Sequence, residues 1–553
     1  MPPEERPLAL YLDLAEDYIF SRQSKEALDI YLMAQEYFSG NPELCYRHAR
    51  LLSDENQPEE AVKLCDKALE AGFHRDAFQL RLEILLELKD YQQVRQDAEQ
   101  IIERGFRGAQ VLYYLAQALR QLQEYEKAEE LLKELHERTN GAGVVCQEYA
   151  ALCSDTDRPE EALAWIEKAL EQGDSPTLRY HKAEYLHDLK RYEEELAVYE
   201  ELQTLGADNY YIHYCIGRAY KQLGWDKEAE QSFRRSLEHN STYGITWDYL
   251  GDVLQNQGNW EEAAWAYENG WNNGNRQAIR DLCRLMKRTH QNERAEHFLK
   301  LGLNRYPDDS SLLWIQAIVL KRQKRYEDAV RCYNRYMEVK PSQTSSAYRE
   351  IASVWIDAKD YARAEASFQK AIDYEPDNSK NWRLFGKYYA NIRKMQEAAL
   401  PYLEKAAELE PSSTYGWQKL GEVYEALGRT EDAVRCYETS LKNYQAELAK
   451  DPDDCCTCEG IADVLVHLNR LEEAEEMARR AISLQNTVFT CNCPFCYEAL
   501  EDLAKAAERR GDLVEALACM QKAGRYATTD HYPNEIERLQ KALDHSAGGQ
   551  SNA

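Results

Sequence analysis

Along nearly the whole chain a small residue, usually alanine after an acidic or polar one, recurs within a helical pattern: EALDIY, EAVKLC, KAEELL, EALAWI, EAEQSF, EAAWAY, DAVRCY, RAEASF, EAEEMA. Its positions are Ala27, Ala61, Val94, Ala128, Ala162, Glu195, Ala229, Ala263, Ala295, Ala329, Ala364, Ala398, Ala433, Ala474 and Ala516. Successive spacings are 34, 33, 34, 34, 33, 34, 34, 32, 34, 35, 34, 35, then 41 and 42. Upstream of each small residue runs a second helical pattern, best seen in Trp247-x2-Leu250-Gly251, Trp382-x2-Phe385-Gly386-x2-Tyr389 and Trp417-x2-Leu420-Gly421-x2-Tyr424. Each period therefore predicts two helices, A and B, joined by a turn. Gly251 and Ala263 are expected to bring the two together closely, with Trp and Tyr filling the space between them. One such hairpin is insufficient alone, so neighbours must stack to bury both faces of every unit.

The spacing and these residues closely resemble the tetratricopeptide family. Phe368 and Tyr437 occupy its aromatic position after the small residue, and Pro307, Pro341, Pro376 and Pro411 end successive B helices. The match covers about residues 8 to 530. The resemblance implies an all-α, right-handed superhelical solenoid of about fifteen helix-turn-helix repeats. The expected division is a continuous array over 1–450 (about thirteen repeats), two stretched repeats over 451–532, and a capping helix with a short disordered tail over 533–553. A first helix near Leu8 to Phe20 and a last one near 534–545 should be the caps.

Composition excludes several functions. The net charge of -29 over 553 residues argues against general affinity for nucleic acid or anionic membranes. No stretch is rich enough in Pro, Gly or Ser to read as a linker, the first twenty residues lack a secretory pattern, and no segment approaches a membrane span. A cytoplasmic protein is expected. Nine of the fifteen cysteines are scattered singly through helical patterns, as small core residues in a reducing compartment. There is no GxxxxGK[ST], GxGxxG after a strand, GxSxG or HExxH, and the repeats fill the length a catalytic domain would need, so no enzyme is expected.

The two long spacings each contain a cysteine cluster: Cys455-Cys456-Thr457-Cys458, and Cys491-Asn492-Cys493-Pro494-Phe495-Cys496. Both are read as loops between repeats, the first ahead of an A helix starting near Glu459. Loops one repeat apart lie on one edge of a stack, about 10 Å from each other. Cys455, Cys458, Cys493 and Cys496 would then offer four thiolates to a structural zinc ion, with Cys456 and Cys491 as further ligands or a disulfide. Disulfides, iron-sulfur and copper remain alternatives. His467 is expected to be a groove or surface residue.

In the resembling family the inner face is lined mainly by A helices. Carried over, that phase points Arg280, Arg284, Lys287, Arg288, Lys321, Arg322, Arg349, Arg383 and Lys387 inward, with Trp314. In so acidic a chain, these cations either pair with neighbouring carboxylates or wait for an anionic guest, an acidic or phosphorylated protein segment. Directly after the A-helix Gly stand Arg218, Asp252, Lys387 and Glu422, where the cochaperone type of clamp carries Asn. Tyr113, Tyr180, Tyr211 and Tyr214 would form a second, aromatic surface. The expected function is a non-enzymatic scaffold or adaptor binding protein or peptide. The alternatives are a metal or thiol-redox sensor, and a peptide-sensing regulator, whose usual DNA-binding domain is not expected because the repeats begin within the first twenty residues.

Overall fold

The computed structural model describes residues 7–72, 74–487, 498–524 and 531–549. Among them lie thirty-one α-helices, numbered α1 to α31 in chain order, and no strand. Helices α1 (Leu8–Phe20) to α30 (Leu513–Gly524) alternate as A and B members of fifteen hairpins, and α31 (His531–Gly549) stands where the terminal cap was expected. The chain divides into two compact units, Met1–Asp281 and Leu282–Ala553, the division falling inside α17 (Arg276–Arg288).

The local signals explain the elements. Most A helices end on a left-handed residue that reverses the chain, Gly258 at φ +82° and Gly428 at +72°, but Lys324 and Lys359 elsewhere. B helices then open with carboxylates near their positive ends, as Glu261 and Glu262 do in α16 (Trp260–Asn272). The recurring small residues Ala27, Ala128, Ala263, Ala329 and Ala364 are fully buried.

The A-helix glycine is covered by the aromatic residue one turn beyond the small residue, in line with aromatic side chains filling the space between the helices. A Cβ on Gly251 would stand 2.5 Å from the Tyr267 ring, on Gly217 2.6 Å from Phe233, and on Gly421 2.8 Å from Tyr437. Three expectations change. In the hairpin of α23 (Ser379–Lys387) and α24 (Gln396–Leu409), the small residue is Ala399, fully buried, and Ala398 is only partly so. The first long spacing is absorbed chiefly by a longer B helix: α26 (Thr430–Leu448) runs 19 residues, against 14 in α20 (Tyr326–Val339). Likewise α27 (Cys455–His467) starts at Cys455, four residues before Glu459, because Asp454 accepts from the Cys456 and Thr457 N–H groups at 3.0 and 3.3 Å.

One hairpin departs from the small-residue rule. Glu195, in α12 (Tyr192–Thr204), is fully buried where other hairpins carry Ala or Val. His187 Nδ1 lies 2.9 Å from its Oε2, and Arg218 Nη2 stands 3.8 Å from its Oε1.

Candidate protein-binding surface

In the second unit, A helices α19 (Ser310–Arg322), α21 (Thr344–Asp357) and α23 contribute to a cavity of about 490 Å³. Its walls are largely apolar, from Trp314, Ile356, Phe368, Leu384, Tyr388 and Ile392, and its rim carries Arg349, Lys380 and Lys387 against a single carboxylate, Glu350. Trp314 is held by edge and tilted contacts with Tyr333 and Tyr336, centroids 5.1 and 4.8 Å away.

Neutral groups position the cations here. Arg349 donates from Nη1 to Ser345 Oγ at 3.0 Å and Asn381 Oδ1 at 2.5 Å, and from Nη2 to Ser346 Oγ at 2.8 Å. Asn381 is itself buried and fixed, its amide donating to the Ala371 and Glu375 carbonyls at 2.8 and 3.0 Å. Burial pulls the Arg349 pKa down from its ordinary value, with Arg383 acting the same way and Glu375 and Glu350 opposing. Lys387 Nζ donates to the Tyr415 hydroxyl at 3.0 Å, and the Arg383 guanidinium sits 5.0 Å from the Tyr415 ring centre. Among the described residues, no carboxylate lies within ion-pair distance of Arg349, Lys380, Arg383 or Lys387. The structure thus brings together Trp314, Arg349 and Lys387, with Arg383 beside them.

The other predicted cations stand differently. Lys321 pairs with Asp357 at 3.1 Å and donates to Ser353 at 2.7 Å, so its charge is matched within the protein. Arg322 donates to the Lys287 carbonyl. The Lys287 pKa falls below its usual value through burial, then through the nearby charges of Arg322 and Arg284. Arg284 and Arg288 are exposed on α17, and Arg280, also on α17, donates to Gln277 at 3.0 Å. Tyr415, Asn381 and Ile392 escaped sequence reasoning. A signal for the last existed in the thirteen residues from Gly386 to Ala399, against twelve from Gly251 to Ala263 and from Gly421 to Ala433.

In the first unit the tyrosines do cluster across successive A helices. Tyr180 and Tyr211 lie 5.6 Å apart, Tyr211 and Tyr214 5.7 Å, and Tyr214 lies 5.5 Å from both Tyr243 and Tyr249. Tyr113 stands apart from them, accepting from Gln117 at 3.1 Å.

Of the cysteines, Cys455 and Cys458 are buried one turn apart at the start of α27, and Cys456 is exposed. The ligand atoms of Asp454, Cys455 and Cys456 lie within 4.8 Å of one another. Cys458 packs in a small cluster with Ala481 and Ala499. Cys491, Cys493 and Cys496 lie outside the described residues. His467 stacks on Tyr437 at 4.7 Å and bonds Glu425 at 2.8 Å, an edge-of-core role. No described helix is long and apolar enough to cross a membrane.

The chain matches no curated protein sequence. Among solved structures it is similar to a Naa15/Naa10 complex bound to HypK-THB, at 14% identity over 99% of this chain and 97% of that one, TM-score 0.33. It is similar to yeast Tom70, at 12% identity over 98% and 96%, TM-score 0.37, and to the APC/C hetero-tetramer Cut9-Hcn1, at 14% over 75% and 95%, TM-score 0.32. Four family profiles, each described as a tetratricopeptide repeat, match residues 42–71 and 210–242, 91–196, 350–414 and 460–528, and 410–487. Together these matches span more than half of the chain, which therefore belongs to the tetratricopeptide repeat superfamily.

Proposed function

We propose that this protein is a non-enzymatic scaffold or adaptor that binds an acidic or phosphorylated segment of a partner protein on the A-helix face of its second unit. One observation carries the reading. In a chain of net charge -29, Arg349, Lys380, Arg383 and Lys387 gather on one surface, and Arg349, Arg383 and Lys387 are held there by hydroxyls, an amide and an aromatic ring rather than by carboxylates. A cation so held keeps its charge available to a guest, and planar guanidinium groups suit carboxylate or phosphate. The test is fluorescence anisotropy with a labelled oligoglutamate peptide, and oligolysine as control. Wild type should bind the first at low salt, weakening as salt rises, and Arg349→Glu/Arg383→Glu/Lys387→Glu should lose it. Equal affinity of wild type and variant would remove the reading.

A structural zinc ion held by Cys455, Cys458, Cys493 and Cys496 is a second proposal. It is supported by Cys458 packing against Ala499, in the helix α29 (Glu498–Arg510) that opens two residues after Cys496. Plasma mass spectrometry of the reduced protein should find about one zinc per chain, absent when the four cysteines become serine. Metal-free protein with titratable disulfides would instead favour thiol-redox sensing.

A further inference from the structure

A defect in one helix forms part of the wall of the cavity beside the cations. After Lys387 the chain leaves the α-helical path and makes a π turn, Tyr388–Ile392. The Arg393 N–H there donates to the Tyr388 carbonyl, five residues back, at 3.1 Å. The cause is one extra residue: thirteen positions separate Gly386 from Ala399, where twelve separate Gly217 from Ala229, Gly251 from Ala263 and Gly421 from Ala433. Both ends are pinned. Gly386 packs against Leu403, with its Cβ position 2.6 Å from that side chain, and Ala399 is fully buried, so the surplus residue must bulge between them.

A π turn is less favourable than continued α-helix, and such turns concentrate where the bulge serves a site. Here it lines the cavity: Tyr388, Asn391 and Ile392 all face it. Ile392 is left 48% exposed at the mouth, a large apolar side chain without cover. The volume is ample for a bulky side chain entering between Trp314, Leu384 and Ile392. The polar groups at the rim are cationic, Arg349, Lys380 and Lys387 against Glu350 alone, so an acidic neighbour of that side chain is favoured and a basic one repelled.

We propose that the π-turn cavity is an anchor socket for a bulky apolar side chain, aromatic or branched aliphatic, carried within the acidic segment of a partner protein. The apolar residue fills the socket while flanking carboxylates or phosphates meet Arg349 and Lys387. This rests on the acidic-segment reading above and adds the anchor, which that reading does not require.

The test is selection of phage-displayed random twelve-residue peptides on the full chain, followed by anisotropy of the selected peptides with four proteins. These are wild type, Ile392→Ser, a deletion of Asn391 that restores twelve-residue spacing, and Arg349→Glu/Lys387→Glu. Ile392→Ser removes the exposed apolar side chain without adding charge beside the cations, and keeps the test sound should the deletion misfold. The expected consensus is a bulky apolar residue within three positions of Asp or Glu. Its affinity should fall roughly tenfold or more with Ile392→Ser, with the Asn391 deletion, or when that residue becomes Ala, the loss of a buried anchor. Acidic peptides with no apolar consensus, losing affinity only with Arg349→Glu/Lys387→Glu, would overturn the socket and leave the acidic-segment reading standing. Peptides that are not acidic, or that bind all four proteins equally, would overturn both.

Discussion

Gly251→Ala is a one-carbon test of how these hairpins pack. The added Cβ would meet three ring atoms of Tyr267 at 2.5, 2.6 and 2.9 Å, whereas carbon atoms rest about 3.5–4.0 Å apart, so the ring or the helix must shift by about 1 Å. The ring has nowhere to go: Tyr267 is fully buried and its hydroxyl donates to Asp252, the next residue along, at 2.8 Å. Overpacking of this kind costs about 1–3 kcal/mol, toward about 2–3 kcal/mol where the ring is held, offset by about 1 kcal/mol of helix propensity gained on replacing glycine, so a net loss of about 1–2 kcal/mol is expected. In a Tyr267→Ala background the obstacle is gone and the same substitution should stabilise by up to about 1 kcal/mol. The assay is urea denaturation followed by tryptophan fluorescence, with hydrogen exchange over residues 244–272 to localise the change in a chain whose units need not unfold together. A midpoint unchanged or raised by Gly251→Ala alone, or the same sign in both backgrounds, would refute the packing argument.

Two other substitutions test buried charge. Burial, with Asp281 and Asp252 nearby, pushes the Asp248 carboxyl up to about 7, against partial relief from Lys221 and Asn275. A carboxyl raised on folding weakens the fold as pH climbs from the unfolded value toward the folded one. Asp248→Asn should therefore gain stability relative to wild type between pH 5 and pH 8, on the order of 2 kcal/mol, read as the difference in urea midpoints at the two values. Glu195→Ala restores the small residue found in the other hairpins, yet it should destabilise the fold by about 1–3 kcal/mol, read as a lower thermal midpoint, because it strips Arg218 and His187 of their carboxylate. Adding Arg218→Met should recover part of that loss, and a Glu195→Ala protein more stable than wild type would show the pair to be dispensable.

The period, the alternation of A and B helices and most small core positions were legible in the sequence, because a hairpin that contacts only its neighbours repeats the same local packing problem in nearly the same residues. The phase of the A helices came from the family resemblance instead, and four of the residues it named, Trp314, Arg349, Arg383 and Lys387, stand at or beside one cavity. What covers a given atom was not legible. That Tyr267 rather than Ala263 sits on Gly251 depends on how two helices cross, and periodicity carries no crossing angle. Nor did spacing tell Lys321, neutralised by Asp357 on the next A helix, from Arg349, which meets only hydroxyls and an amide. The extra residue between Gly386 and Ala399 was present in the sequence all along, but the alternative register through Ala398 hid it. Only the tertiary structure decided between them: both helices of that hairpin are pinned by their neighbours, so the surplus residue is expelled as a π turn, which walls one side of a cavity that no repeat pattern predicts.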